Sequence, residues 1–252
     1  MANAVPFGEQ FDAVRIGDTV RRKTGPWTPA VHALLRHLED AGFDGAPRVV
    51  GIDDGGREVL TYVEGKIGFA PVPSSDETLA GLGRLLRRYH RAVEGFAAPC
   101  DADWQIPGTG DIICHNDLYG GNVVLRGDLP VALIDWEMAG PGTQLTDLAS
   151  AACFWTPLCS DADADRRGLP RGRRGERLRL LCDAYGLSAH ARGSLLDAVS
   201  AYLLRGYELH RRWGRLERRP KWRRMWESGS GDAILDNAAW LDEHRGELTR
   251  WL

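Results

Sequence analysis

A chain of 252 residues, 43% hydrophobic and 27% charged, is long enough for one catalytic unit of two lobes and too evenly composed to be disordered over most of its length. Its net charge of −3 gives no footing, from the total alone, for a nucleic-acid or membrane binder. Cys100, Cys114, Cys153, Cys159 and Cys182 form an odd set without a CxxC pair, which excludes a disulfide framework and a zinc cluster. The opening MANAVPFGEQ has neither a basic nor an apolar leader region, and no run of about 18 apolar residues follows, so a reduced, cytoplasmic protein that does not enter a membrane is expected.

In chain order, residues 11–23 (FDAVRIGDTVRRK) predict two short strands turned at Gly17-Asp18. Thr28-Pro29 opens a helix through about Ala41, with Thr28 as N-cap and Val31, Leu34, Leu35 and Leu38 as its apolar stripe. VVGID, a DDGG turn and REVLTYV complete a β-β-α-β-β segment that ends near Gly65. Pro71, Pro73 and the SSDE cap mark a loop before a long helix over about 76–95, with Leu79, Leu82, Leu85, Leu86, Tyr89 and Val93 inward. DIICH, NVVL and VALIDW then read as short strands. Helical stretches follow near 145–156, 174–186, 188–212 and 232–250, and the SDADAD run over 160–165 reads as a surface loop. The expected architecture is α+β and two-lobed: a β-rich lobe over 1–65 and a mostly helical lobe over 66–252.

Charge is unevenly spread. From Arg166 to Arg224 there are 17 Arg and Lys against 5 Asp and Glu, a surplus of 12, and the remainder carries −15. The only lysines are Lys23, Lys66 and Lys221.

The chemistry concentrates in CHNDLYGGN, residues 114–122, and IDWE, residues 134–137. Asp117 and Asn122 share a Gly-containing loop between strands, and Asp135 ends an apolar strand thirteen residues on. A carboxylate to take a hydroxyl proton, with an amide oxygen and a second carboxylate for divalent metal, is what phosphoryl transfer requires. Cys114 beside His115 could suggest a thiol–histidine pair, but adjacent strand residues face opposite ways, so a buried, inert thiol is expected.

The order H-x-D-x₄-N followed by IDWE resembles the catalytic loop and metal-binding motif of the aminoglycoside phosphotransferase/choline kinase family, a branch of the protein-kinase-like fold. The resemblance covers most of residues 18–155. It implies Asp117 as catalytic base, His115 as support of the loop, Asn122 and Asp135 as Mg²⁺ ligands and Asp147, in LTDLA, as the residue that steadies the catalytic loop. The hinge would be LTYVEG, where the backbone of Thr61, Tyr62 and Val63 would bind the adenine of ATP, with GTP open to the same chemistry. Gly120 and Gly121 would supply the backbone freedom to bring Asn122 toward the metal. Asn116 stands where a small residue such as glycine is usual.

The front lobe departs from the family pattern. It has no Gly-rich phosphate loop and no V-x-K, and strand parity puts Arg22 where the phosphate-binding lysine belongs. The helix that should bring a glutamate offers Val31 and His32, with Glu39 two turns too late. The resemblance thus implies an ATP-dependent phosphotransferase acting on a hydroxyl of a small molecule or peptide, the alternative being a pseudokinase-like binding or immunity protein. A metal-dependent hydrolase is disfavoured, since a single histidine stands near the carboxylates. Residues 203–226 carry 9 Arg and Lys against 2 Glu, interleaved with Trp213, Trp222 and Trp226. That composition argues against a polycationic aminoglycoside acceptor, and the negative total argues against nucleic acid. It does not fix the oligomeric state.

Overall fold

The computed structural model describes residues 5–6, 13–67 and 75–252. Phe11, Asp12, most of the opening decapeptide and the Pro71/Pro73 loop lie outside the described residues. Two compact units are built from interleaved pieces of chain, residues 1–68 with 84–144 and residues 69–83 with 145–252.

In the first unit, β1 (Val5–Pro6), β2 (Val14–Ile16), β3 (Thr19–Lys23), β4 (Val49–Ile52) and β5 (Arg57–Thr61) form an antiparallel sheet in the order β1-β2-β3-β5-β4. Ile16 pairs with Thr19, so the β2–β3 turn is only Gly17-Asp18, and Gly17 takes the positive φ of 59° that such a tight hairpin needs. Helix α1 (Thr28–Asp40) buries Val31, Leu34, Leu35 and Leu38. Thr28 is not its N-cap. Trp27 holds that position, and the Thr28 hydroxyl accepts the Gly25 N–H at 2.9 Å, closing the turn before the helix.

β6 (Lys66–Ile67) then leads to α2 (Asp76–Ala92), which starts in one unit and ends in the other; its six inward residues are all buried. Ser75 caps it, its hydroxyl accepting the Thr78 N–H at 3.1 Å. β7 (Ile112–Cys114), β8 (Val123–Arg126), β9 (Leu129–Leu133) and β10 (Gly140–Gly142) form two small antiparallel sheets, β10-β7 and β6-β8-β9. Cys114 is fully buried and gives its Sγ–H to the Thr143 carbonyl, as an inert thiol would.

The second unit is helical: α3 (Gln144–Trp155), α4 (Asp161–Arg166), α5 (Arg174–Tyr185), α6 (Ala189–Arg192), α7 (Leu195–Leu209), a π-helical stretch over His210–Leu216, α8 (Pro220–Glu227) and α9 (Ser230–Thr249). Two expectations change here. The SDADAD run is a capped helix: Ser160 Oγ accepts the Asp163 N–H, acids occupy the first turn where the helix dipole favours them, and Asp163 is buried. The single helix over 188–212 breaks at Gly193-Ser194 and then runs past Leu209 into the π-helical stretch.

Candidate active site

Two strand ends in the first unit present the polar loop. β8 pairs with β9, and the ladder continues through the Ile134 N–H, which donates to the Asn122 carbonyl at 2.9 Å, tying the end of the 114–122 loop to the residue before Asp135. His115, fully buried, spans the same gap from the other side. Its Nε2 lies 2.9 Å from the Ile134 carbonyl, which can only accept, so Nε2 carries the proton and Nδ1 receives the Asp117 N–H at 3.4 Å. Trp136 meets the imidazole edge-on at 4.6 Å, and its indole N–H is satisfied by the Leu133 carbonyl. His115 therefore belongs to the frame that holds Asp117 to Asp135.

Asn122 Nδ2 donates to the Asp117 carbonyl at 2.9 Å and to Asp117 Oδ2 at 3.0 Å. With both amide protons used inside the loop, the atom Asn122 has left is its carbonyl oxygen. Asp135 adopts left-handed backbone, φ 64° and ψ 63°. Asn116 does the same at φ 68°, with its side chain donating to the Met138 carbonyl at 3.1 Å. Both are strained for residues with a Cβ, strain of a kind that clusters at functional sites, and asparagine tolerates it better than most.

The two loop glycines act differently from expectation: neither has a positive φ. Gly121 is small for lack of room, since a Cβ there would stand 2.6 Å from the Tyr119 ring.

Arg22 enters this cluster from β3. Its Nη2 is 2.7 Å from Asp135 Oδ1 and 3.6 Å from Glu137, and its Nε is 3.3 Å from Glu58 Oε1. Burial alone would pull the guanidinium down; the charges of Asp135, Glu58 and Glu137 outweigh it and hold its pKa above the ordinary value. Glu58 Oε2 in turn receives His32 Nε2 at 3.0 Å. The acid missing from α1 is thus supplied by β5, and α1 supplies a histidine. The signal was present in the strands: in the β3–β5 register Arg22 stands opposite Glu58, an opposite-charge cross-strand pair. Tyr119 was also overlooked. Burial, then the negative charges of Asp117, Asp135 and Glu137, push its phenol up to about 12.

The Asp135 carboxylate is partnered by the Arg22 guanidinium, whose Nη2 lies 2.7 Å from Oδ1. Together with the Asn122 carbonyl oxygen it forms a hard-oxygen donor set, which suits Mg²⁺. Among the described residues no cluster of three or more His, Cys, Asp and Glu is placed to hold a metal by itself. Two protein donors with phosphate oxygens completing the shell is the usual manner of Mg²⁺ binding.

At the hinge, the Thr61 N–H goes to the Arg48 carbonyl and the Tyr62 N–H to the Asp18 carbonyl, while Arg15 stacks on the Tyr62 ring at 3.6 Å. Those two donors are engaged within the sheet. Asp147 lies in the second unit, in the first turn of α3, fully buried.

The trifolitoxin immunity protein of Rhizobium leguminosarum bv. trifolii is 36% identical over 255 residues, covering 96% of this chain and 95% of that protein. The sequence model of the phosphotransferase enzyme family matches residues 98–213, which contain Asp117, Asn122, Asp135 and Asp147. The chain belongs to that family. Membership places it among phosphotransferase enzymes. Solved structures share the protein-kinase-like fold. A microcompartment-associated aminopropanol kinase superposes with a TM-score of 0.61 at 14% identity, over 99% of this chain and 93% of its own. A choline/ethanolamine kinase family protein from Mesorhizobium loti does so with 0.59 at 16%, over 100% and 88%. An ADP-bound aminoglycoside phosphotransferase gives 0.59 at 13%, over 96% and 94%. Among the described residues no helix is long and apolar enough to cross a membrane.

Proposed function

We propose that the chain transfers the γ-phosphoryl group of ATP to a hydroxyl of a small molecule or peptide in a Mg²⁺-dependent, in-line reaction. The observation that carries this reading is the Asp117–Asn122–Asp135 arrangement: the amide protons of Asn122 are spent on Asp117, which leaves its carbonyl oxygen, and the Asp135 carboxylate stands 2.7 Å from the Arg22 guanidinium. Asp117 orients the acceptor hydroxyl and takes its proton as the new P–O bond forms. Asn122 and Asp135 hold the metal, whose charge screens the phosphate oxygens as the leaving group departs. Arg22 serves as the phosphate-facing cation in place of lysine, its fork suited to bidentate contact. His115 fixes the loop and Asp147 steadies it.

Adenine binding falls to the hinge at Thr61, Tyr62 and Val63, through groups other than the two engaged N–H donors; guanine fits the same description. The division into a nucleotide lobe over 1–65 and an acceptor lobe over 66–252, and a cytoplasmic location, belong to the same reading.

The immunity protein's name supports a toxin as the acceptor, inactivated by phosphorylation. The same relationship favours a second reading, immunity by binding without transfer. Turnover separates the two. With candidate hydroxyl compounds supplied, Asp117→Ala should abolish Mg²⁺·ATP consumption while the variant stays folded by circular dichroism. Full turnover in that variant refutes the mechanism, and no Mg²⁺-dependent nucleotide binding by the unaltered chain selects the binding-only reading.

A further inference from the structure

The second unit carries a half-open groove of about 500 Å³, none of whose lining residues belongs to the constellation above. Clefts of that size are common among small-molecule sites. The end of α3, α4, α7, the first residue of the π-helical stretch, α8 and α9 make its walls, and most of the exposed lining surface is apolar, with Phe154, Leu203, Met225 and Ile234 contributing.

Two features of the walls break local rules in the cavity's favour. Gly206 sits inside α7, where glycine weakens a helix relative to alanine, and a Cβ there would meet only Ile234 Cδ1, at 4.0 Å. Packing therefore does not demand this glycine, and its effect is to keep the space open. At His210 the helix changes to π geometry for seven residues, and such stretches occur mainly at functional sites.

The polar groups define what fits. Asp163, the cavity's carboxylate, is buried and fully engaged: Arg166 Nη2 at 2.6 Å, Arg167 Nη1 at 3.4 Å and Asn237 Nδ2 at 2.8 Å all donate to it. Those two arginines leave the lining one positive charge in surplus, so a polycation finds no free carboxylate here. His210 is largely buried against the edge of Trp222, with Nδ1 2.7 Å from Ser230 Oγ. Burial, then the charge of Lys221, lowers its pKa to about 4, so the ring is neutral at physiological pH. A hydroxyl has one donor and two acceptor positions, so Ser230 keeps capacity for one more partner.

We propose that this cavity is a binding site for an uncharged small molecule with a mainly apolar body and one hydrogen-bonding group directed at the Ser230–His210 pair. This goes beyond the phosphotransfer reading and stands without it.

The test uses the full chain and the uncharged fluorophore N-phenyl-1-naphthylamine, whose emission rises and shifts to the blue in apolar surroundings. One saturable site per chain is expected, not displaced by spermine. Gly206→Leu, which fills the space from α7, should weaken binding by about tenfold or more with the fold intact by circular dichroism. Gly246→Leu, on the exposed face of α9, should bind as the unaltered chain does. Ile234→Trp fills the cavity from the facing wall and gives the same readout where Gly206→Leu fails to fold. Absence of a saturable site, undiminished binding by a folded filling variant, or displacement by spermine would each overturn the proposal.

Discussion

Replacing Glu58 by glutamine tests the exchange of ion-pair partners between β5 and α1. Glu58 is 5% exposed, and its two oxygens serve two donors, Oε1 facing Arg22 Nε at 3.3 Å and Oε2 facing His32 Nε2 at 3.0 Å. Glutamine has the same length but only one accepting oxygen, so one of the two donors must face an NH₂ group. The loss is that of a buried, charge-assisted hydrogen bond, about 1.5–3 kcal/mol. Arg22 keeps Asp135 and Glu137, which holds the loss below the larger cost of a fully orphaned buried charge. For a protein of this size each kcal/mol moves the unfolding midpoint by roughly 2–4 °C, so a fall of about 3–12 °C is expected in a thermal melt. His32→Ala should cost less on top of Glu58→Gln than alone, because the two share one interaction. A Glu58→Gln midpoint equal to that of the unaltered chain, or full additivity of the pair, would refute the coupling.

Asp135→Asn should keep the fold, since asparagine tolerates left-handed backbone, yet lose stabilisation by Mg²⁺·ATP. At a hundredfold excess over Kd that stabilisation is worth about 2.7 kcal/mol in the unaltered chain, and its absence is read as a missing thermal shift. His210 links stability to acid. Its folded pKa of about 4 lies below the unfolded value, so the unfolded chain binds the proton first, and stability present above about pH 6.5 drains as pH falls toward 4. By pH 5 the loss from this group is about 2 kcal/mol, and His210→Gln should flatten that part of a stability–pH curve measured by urea unfolding.

The candidate loop is legible as a unit because its residues are close in sequence: spacing binds Asp117, Asn122 and Asp135 to one loop and one strand end. The succession of strands at the start of the first unit was accessible to period and turn chemistry, as at Gly17-Asp18. The role of Glu58 is hidden in the sequence because it depends on register between strands some 36 residues apart. Gly121 was misjudged because a glycine in sequence does not say whether it serves a positive φ or a close approach; the Tyr119 ring decides that. The 160–165 run looked like solvated acid, and only the Asn237 amide and Arg166 reveal Asp163 as a buried cap residue. Partners arriving from distant helices leave no local trace.

The use of arginine at position 22 has a practical consequence. Acylating nucleotide probes that tag kinases through an amine beside the phosphates meet no lysine in this cluster. Lys23, Lys66 and Lys221 are all solvent-exposed, so such reagents should modify them with or without nucleotide present. A chemoproteomic survey built on nucleotide-protected amine labelling would pass over this enzyme, and the guanidinium that faces Asp135, largely buried and ion-paired, is shielded from arginine reagents as well.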